Sequence, residues 1–263
     1  MVLCGAVLIQ LWPLFFMLST SFKSMDEIFQ STLNPIPAVP VMNNYLYVLK
    51  NFPLVQYIFN TFFIAGIIAA SKIITSILAA FAFVYYEFSH KEKLFNALLL
   101  TFFIPITVVM VPNYLLLSRL GVLNTPWGVI LPQLADAMGI FLIRQAMRAI
   151  PRPLIEAGKL ENAGAWVMLT RIILPLIKPS VIAMGIVFFI NSWNDYFWPL
   201  LVLQDKSRYT LPLALQMFIS AEGGSEWGIA MAVAVLTSLP PLLLYLSCQR
   251  FIIHTFMQSG VKG

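Results

Sequence analysis

The stretch at about residues 150–178 holds the most specific residue pattern in the chain. Pro151 and Pro153 predict the start of a short helix, because a proline at a helix start gives up no hydrogen bond. Glu156 is expected in the first turn, where the positive end of the helix favours a carboxylate. The stretch is too polar to span a membrane and too ordered in its pattern to be a linker.

Small residues shape the rest of this predicted helix. Ala157 and Gly158 leave its surface thin, which suits a helix that enters a groove on another protein. Asn162 and Gly164 are residue types that tolerate a left-handed backbone and commonly end helices. We therefore expect the helix to stop within a few residues of Leu160.

A second short helix is predicted to follow over Ala165–Ile173. Pro175 would close it, because proline lacks the N–H group that a continuing helix needs. The two short helices are expected to lie at a membrane surface, where they would face a partner protein.

A second polar group follows an apolar run. Asn191, Asn194, Asp195 and Trp198 are spaced at i, i+3, i+4 and i+7, which places them on one face of a helix. An amide, a carboxylate and a flat indole ring suit recognition of a sugar. Lining of a solute pathway and hydrogen bonding between packed helices explain this face equally well.

Two further polar residues, Gln133 and Asp136, are spaced at i and i+3 in another apolar run. They could face a cavity, or Asp136 could pair with a buried cation such as Lys72. Lys72 itself could favour an anionic solute, but a salt bridge or a side chain that reaches towards the interface is the simpler expectation.

The composition identifies the elements that must position these residues. The chain has 263 residues, of which 60% are hydrophobic and 10% charged. Soluble domains carry about 25% charged residues, so a soluble monomer and a disordered chain are excluded. Six apolar segments have about the length of a membrane span: Val2–Phe22, Tyr57–Tyr86, Leu94–Leu117, Gly128–Ile150, Ser180–Leu203 and Gly228–Ile253.

Lys and Arg residues predict the orientation. Ten fall on the side that holds the 150–178 stretch and both chain ends, and five fall on the other side. The side richer in these residues is normally cytoplasmic, so both termini are expected in the cytoplasm. The net charge of +5 is thus explained by orientation, and no nucleic-acid partner is expected.

Several catalytic patterns are missing from the sequence. No Gly-x4-Gly-Lys-Ser/Thr phosphate-binding loop is present, so we expect no ATP hydrolysis by this chain alone. His90 and His254 are isolated, which argues against a metal site. Cys4 and Cys248 lie in apolar runs and do not suggest a disulfide framework.

The 150–178 stretch resembles the EAA loop of ATP-binding-cassette importer permeases. The family pattern is Glu-Ala-Ala, three residues, Gly, nine residues and Ile-x-Leu-Pro. The matching positions are Glu156, Ala157, Ile172, Leu174 and Pro175. Three positions depart mildly: Gly158 replaces an Ala, Asn162 replaces the Gly, and Glu161 stands where Asp is usual.

Other segments carry the same resemblance in the same order. They are Ser21–Phe29, Phe141–Gln145, Trp193–Leu200, Gln249–Phe251 and Gly260–Gly263. The whole set is similar to the second permease of maltose-type and glycerol-3-phosphate-type importers. The tail departs from that subfamily at residues 254–256.

The resemblance implies an all-α polytopic membrane protein with about six transmembrane helices and a type I ABC importer permease (MetI-like) core. It implies one permease domain over residues 1–263, with a coupling loop at about 150–178, in the bacterial cytoplasmic (inner) membrane. The implied coupling residues are Glu156, Ala157, Gly158, Glu161, Asn162, Leu174 and Pro175.

The resemblance also implies partners. These are a second permease subunit, two ATPase subunits, an extracytoplasmic solute-binding protein and membrane lipid. The chain would hold no cofactor or metal, because ATP and Mg would be bound by the ATPase subunit. The solute would be a sugar or a related small polar molecule, with glycerol 3-phosphate among the possibilities.

Two other classes of function remain to be weighed. A self-sufficient secondary transporter or channel would need charged coupling sites and usually internal repeats, and it leaves the EAA-like stretch unexplained. An intramembrane enzyme would need a catalytic motif such as His-Glu-x-x-His or Gly-x-Ser-x-Gly, and the sequence has neither.

Overall fold

The computed structural model describes residues 2–30, 34–219 and 226–260, with side chains described for 5–30, 34–218 and 226–250. Every regular element among these residues is helical, which confirms the predicted all-α class. The end of the C-terminal segment, residues 261–263, lies outside the described part. The helices are α1 (Val2–Thr20), α2 (Met25–Gln30), α3 (Asn43–Asn51), α4 (Leu54–Tyr85), α5 (Lys91–Leu100), α6 (Ile106–Arg119), α7 (Pro126–Ile130), α8 (Ala137–Arg148), α9 (Arg152–Leu160), α10 (Ala165–Val167), α11 (Leu174–Trp193), α12 (Phe197–Val202), α13 (Leu211–Ile219) and α14 (Trp227–Gly260).

Within the described ranges, three unbroken helical stretches are long and apolar enough to cross a membrane. They are Leu54–Tyr85, Ala165–Trp193 and Trp227–Arg250. The stretch Gly5–Thr20 is apolar but shorter. Helix is present in all six predicted apolar segments, although not every segment is one straight helix.

Two of the predicted segments are broken. The helical stretch that includes α5 is bent by 98° from α6, and the stretch that includes α7 is bent by 47° from α8. Pro105 has an extended backbone at the first break, and Ile104 before it is extended as well. A residue that precedes proline is disfavoured in the helical region, which explains the break. At the second break Asp136 is extended and caps α8.

The prediction for the second short helix was wrong. Helix starts at Ala165 but does not end at Pro175; it runs through a π-helical segment, Met168–Ile173, into α11 and ends at Trp193. The wider turns of a π-helix alter the hydrogen-bond partners just before the proline, so its missing N–H group is tolerated there. The predicted span Ser180–Leu203 is therefore displaced towards the N-terminus.

The chain forms two compact units. Unit 1 comprises Met1–Phe62 with Asn194–Leu243, and unit 2 comprises Phe63–Trp193 with Leu244–Gly263.

In unit 1, the segment after α1 is fixed by buried polar contacts. Lys23 is buried and donates a hydrogen bond to the carbonyl oxygen of Asn34. Asn44 donates to the carbonyl oxygens of Ser21 and Lys23, both at 2.9 Å. Residues 34–42, between α2 and α3, are non-helical, which suits their three prolines Pro35, Pro37 and Pro40.

The segment before α13 is fixed by the start of α4, also within unit 1. Asn60 donates to the carbonyl oxygens of Ser207 and Tyr209, at 3.0 and 3.1 Å. The backbone N–H of Leu211 donates to the hydroxyl of Thr61 at 2.8 Å. The backbone N–H of Ser207 also donates to Asp205, which lowers the pKa of that carboxyl below its ordinary value.

Unit 2 has a hydrophobic core to which the 150–178 stretch contributes directly. The buried members come from α4, α8, α9, the π-helical segment and α11: Ala69, Ala80, Phe81, Ile143, Met147, Ile155, Met168, Leu169, Ile173, Ile177, Met184 and Phe188. The stretch is therefore part of the packed core of unit 2.

Candidate functional site

Helix α9 forms the first half of the predicted coupling loop. It begins at Arg152 after Pro151, as the two prolines predict. This start places Glu156 beyond the first turn, so the prediction that Glu156 lies in that turn was wrong. The positive helix end does not stabilise its carboxylate, because that effect falls off within one turn. Ile155 and Gly158 are the buried residues of α9.

Gly158 is the point of closest packing. A Cβ atom built there would lie 2.7 Å from Ile172 Cδ1 and 2.9 Å from Met168 Cε. Both atoms are ends of flexible side chains, so an alanine here would require those ends to shift but not the helix backbone. The close contact therefore favours glycine without excluding the family's alanine.

The end of α9 is a two-bond cap at Asn162. Asn162 has φ +54°, its N–H donates to the carbonyl of Lys159 at 3.0 Å, and the N–H of Ala163 donates to the carbonyl of Gly158 at 3.0 Å. This is the Schellman arrangement, with asparagine in the left-handed position. The prediction that Asn162 takes a left-handed backbone and ends the helix is confirmed. Gly164 instead has an extended backbone, with φ −61°, before α10.

The outer surface of the coupling loop is unusually apolar for an exposed surface. Leu160 and Trp166 are 84% and 69% exposed, and Leu154 is exposed as well. The residues predicted to act in coupling lie among them: Glu156, Ala157, Glu161 and Asn162 are all exposed. An exposed apolar patch with carboxylates beside it is typical of a protein interaction surface.

Leu174 and Pro175, the last predicted coupling residues, lie where the π-helical segment meets α11. Leu174 packs against the core of unit 2, and Pro175 is exposed. The structure therefore places these two residues inside a continuous helix, and the other five on or next to α9.

Lys72 and Asp136 form an ion pair in unit 2. Lys72 Nζ lies 3.6 Å from Asp136 Oδ2 and 5.5 Å from the ring centre of Phe188. Asp136 Oδ1 also accepts a hydrogen bond from the N–H of Gly139 at 2.9 Å, so it caps α8. The salt-bridge interpretation of Lys72 is confirmed. Gln133 donates to the carbonyl of Val129 at 3.3 Å.

The predicted single face that holds Asn191, Asn194, Asp195 and Trp198 is not formed, which corrects the sequence analysis. Helix α11 ends at Trp193, residues 194–196 are non-helical, and α12 begins at Phe197. Asp195 accepts from the N–H of Trp198 at 3.4 Å. Asn and Asp side chains compete for backbone hydrogen bonds in this way, which favours a break.

The individual residues of this group differ in exposure. Asn191 in unit 2 is exposed, as is Asn194 in unit 1. Asp195 is half-buried, and Trp198 is buried with an indole N–H that has no hydrogen-bond partner among the described residues. The type of each residue still suits a polar solute, but no shared helix face brings them together.

Sequence reasoning missed a buried arginine. Arg144 was predicted only as one of the cytoplasmic cations, but it is buried in α8. Its guanidinium lies 3.8 Å from the ring centre of Phe95 and 3.2 Å from a carboxylate oxygen of Glu92. The available signal was its position directly after the apolar run Ile140–Ile143 of α8.

Comparison with known proteins adds independent evidence. Residues 72–255 match the family model "Binding-protein-dependent transport system inner membrane component". The chain is 30% identical over 261 residues to the sn-glycerol-3-phosphate transport system permease protein UgpE of Rhizobium meliloti (strain 1021), which covers 96% of this chain and 93% of the relative. It is 31% identical over 266 residues to UgpE of Yersinia pestis bv. Antiqua (strain Antiqua), covering 98% and 94%.

A solved structure has the same fold. A chain in the crystal structure of a bacterial ABC transporter involved in the import of the acidic polysaccharide alginate matches with a TM-score of 0.85 at 22% identity, over 95% of this chain and 93% of that chain. The all-helical fold, the packed coupling loop and the matching family model agree with one another. The chain belongs to the family of inner-membrane components of binding-protein-dependent transport systems, as the permease subunit of an ATP-driven importer.

Proposed function

We propose that this permease carries glycerol 3-phosphate or a related small polar solute, such as a sugar, and that residues 150–178 couple it to an ATPase subunit. The observation that carries the proposal is the structure of the coupling loop: its outer surface is exposed and apolar, while its inner residues belong to the core of unit 2. The solute class is supported by the relatives, which are named glycerol-3-phosphate permeases.

The packing of α9 supports a direct mechanical route. Ile155 lies in the same core as Ile173 and Ile177, which belong to the continuous helix Ala165–Trp193. Close-packed cores transmit displacement because they have little free volume to absorb it. A movement of α9 imposed by a docked ATPase would therefore shift that membrane helix. Coupling between two states requires that the ATPase contact one of them more favourably, and the position of α9 would provide that difference.

The division of labour follows from the missing phosphate-binding loop. The permease does not catalyse, and a separate ATPase subunit binds ATP and Mg and hydrolyses the nucleotide. Two such subunits bind a pair of permeases on the cytoplasmic side, where both termini of this chain lie. A solute-binding protein delivers the solute from the other side. Residues 1–263 act as one permease domain.

The solute pathway would involve the polar residues inside the apolar segments. The candidates are Gln133, Asp136, Asn191, Asn194, Asp195 and Trp198. Asp136 is already paired with Lys72, so it contributes to a pathway only if that pair opens. The broken backbone at Asn194–Tyr196 supports this role for its neighbours, because non-helical backbone at membrane depth is tolerated where it lines a cavity.

The test is ATP hydrolysis by the permease co-expressed with candidate partner permease and ATPase subunits, in the presence of a candidate solute-binding protein. Glycerol 3-phosphate, glycerophosphodiesters and a panel of sugars are supplied in turn. Stimulation by one loaded binding protein is the expected result, and the solute that produces it names the class. Failure of any ATPase subunit to co-purify would overturn the coupling proposal and make a secondary transporter the alternative to test.

A further inference from the structure

A cleft of about 460 Å³ lies within unit 2 beside the coupling loop. Its walls come from the end of α4, the start of α5, the end of α8, and α9. Its volume is in the range of small-molecule sites. Its cationic lining residues are Lys91, Arg144, Arg148, Arg152 and Lys159.

The charges in this cleft are not balanced by the chain. Two carboxylates, Glu92 and Glu156, also line it. Lys91 pairs with Glu87 at 3.2 Å, and Arg144 pairs with Glu92 at 3.2 Å. Arg148, Arg152 and Lys159 form no ion pair with the part of the chain that the structure describes, so the cleft keeps an excess of positive charge.

Arg144 is the feature that points to a bound oxyanion. It is only 5% exposed, and its buried Nε has no hydrogen-bond partner among the described residues. A buried charged group normally has its hydrogen bonds satisfied, because an unmade one costs free energy. Phosphate oxygens fit the planar donor set of a guanidinium, and several nearby cations strengthen such binding.

The position of the cleft selects among anions. It lies where the membrane-spanning stretch Leu54–Tyr85 ends, and where α8 ends at Arg148. The end of a membrane span is expected at the level of the lipid headgroups, and basic pockets between membrane helices on the cytoplasmic side bind anionic lipid headgroups. Apolar residues such as Phe83, Met147 and Ile150 share the lining. They suit the glycerol and upper acyl part of a lipid better than a fully hydrated ion.

We propose that this cleft binds the phosphate group of an anionic phospholipid, with Arg144 and Arg148 as its ligands and phosphatidylglycerol as the probe. The inference rests on the proposed function only in placing the coupling loop at the cytoplasmic surface. A bound headgroup there would hold the end of α8 against α9 and would link lipid composition to the position of the coupling loop.

The test is native mass spectrometry of the assembled transporter from micelles that contain phosphatidylglycerol. Arg148→Gln is the test variant, because Arg148 is exposed and its change leaves the core intact. Lys93→Gln is the matched control: it removes the same charge from α5, is exposed, and does not line the cleft. About fivefold weaker lipid retention is expected for Arg148→Gln, with wild-type retention for Lys93→Gln.

A second arm separates the possible sources of phosphate. Inorganic phosphate and glycerol 3-phosphate are added in competition with the lipid. Failure of both to displace it supports the lipid, whereas displacement that depends on Arg148 overturns the lipid assignment in favour of a free anion. Equal lipid retention by the two variants overturns the site itself. Loss of ATPase co-purification with unchanged lipid retention would make the cleft a protein contact, which also overturns the proposal.

Discussion

In its described part, unit 2 holds a half-buried lysine and a buried arginine that have similar neighbours but partner carboxylates of different exposure. Lys72 lies beside the carboxylate of Asp136 and the ring of Phe188, and Arg144 lies beside the carboxylate of Glu92 and the ring of Phe95. The side chain of Asp136 is 28% exposed and that of Glu92 is 69% exposed.

The difference between the pairs lies in the carboxylate. Asp136 faces Lys72 and also caps the start of α8, so the first pair is tied to the helical framework, and we call it the closed pair. Glu92 is largely exposed, and Arg144 keeps one buried N–H without a partner among the described residues, so we call the second pair the open pair. A ligand is assigned above only to the open pair.

The closed pair gives the largest expected effect. Asp136→Ala leaves Lys72 without its partner and removes the cap of α8, and we expect a loss of about 2–3 kcal/mol in the free energy of unfolding. Thermal unfolding of the purified transporter measures it. Asp136→Asn keeps the cap and should lose less. Adding Lys72→Met to Asp136→Ala should restore the part of the loss that comes from the unpaired Lys72, but not the part that comes from the lost cap; no restoration would mean that the ion pair is not the cause.

The exposed surface of α9, beside the basic cleft, gives the next largest effect, which is on ATPase binding. Glu156→Lys reverses a charge on the exposed surface of α9, and we expect roughly tenfold weaker retention of the ATPase subunit, which corresponds to about 1.4 kcal/mol. Membrane insertion should not change. Co-purification measures the effect, with Asp26→Lys on exposed α2 as the control. Equal ATPase retention in both variants would contradict a docking role for α9.

The cap that ends α9 gives a smaller effect. Asn162→Ala places an alanine at φ +54°, which costs about 1 kcal/mol, whereas Asn162→Gly should be within a few tenths of wild type. Thermal unfolding and ATPase retention should fall together in the alanine variant, because the cap fixes the direction in which the chain leaves α9. Identical stability of the two variants would mean that the cap is not needed to hold α9.

The open pair gives the smallest effect on stability. Glu92→Gln removes an exposed partner, and we expect a change below about 1 kcal/mol in the free energy of unfolding. The same variant should retain phosphatidylglycerol more strongly, because one competing carboxylate has left the cleft. A stability loss as large as that of Asp136→Ala would show that the two pairs are equivalent, and would remove the distinction between them.

Features determined by neighbouring residues could be predicted from the sequence. The start of α9 at its prolines and its end at Asn162 depend on local backbone chemistry. The apolar segments follow from composition, and the charge of Lys72 in an apolar run already suggested a partner such as Asp136. The coupling residues remain a prediction, which rests on the match of their spacing to a known family pattern.

Features determined by packing could not be predicted in this way. Pro175 alone suggests a helix end, but Leu169, Ile173 and Ile177 are buried and hold one helix through it. The spacing of Asn191 and Trp198 fits a helix face, yet the intervening residues form their own hydrogen bonds. The burial of Arg144 depends on Phe95, which is distant in sequence.

The π-helical segment Met168–Ile173 has a consequence for insertions and deletions. Each residue added to a helix turns the side chains beyond it by about 100°, and a π-helical turn contains an extra residue. Deleting one residue from this segment would restore an ordinary helix from Ala165 to Trp193. Because the wider turn accommodates the extra residue, the side chains on either side of it, including Trp166, would keep nearly the same direction about the helix axis. A residue inserted into the ordinary helix Leu174–Trp193 has no such turn to absorb it, and would rotate every side chain beyond it by about 100°.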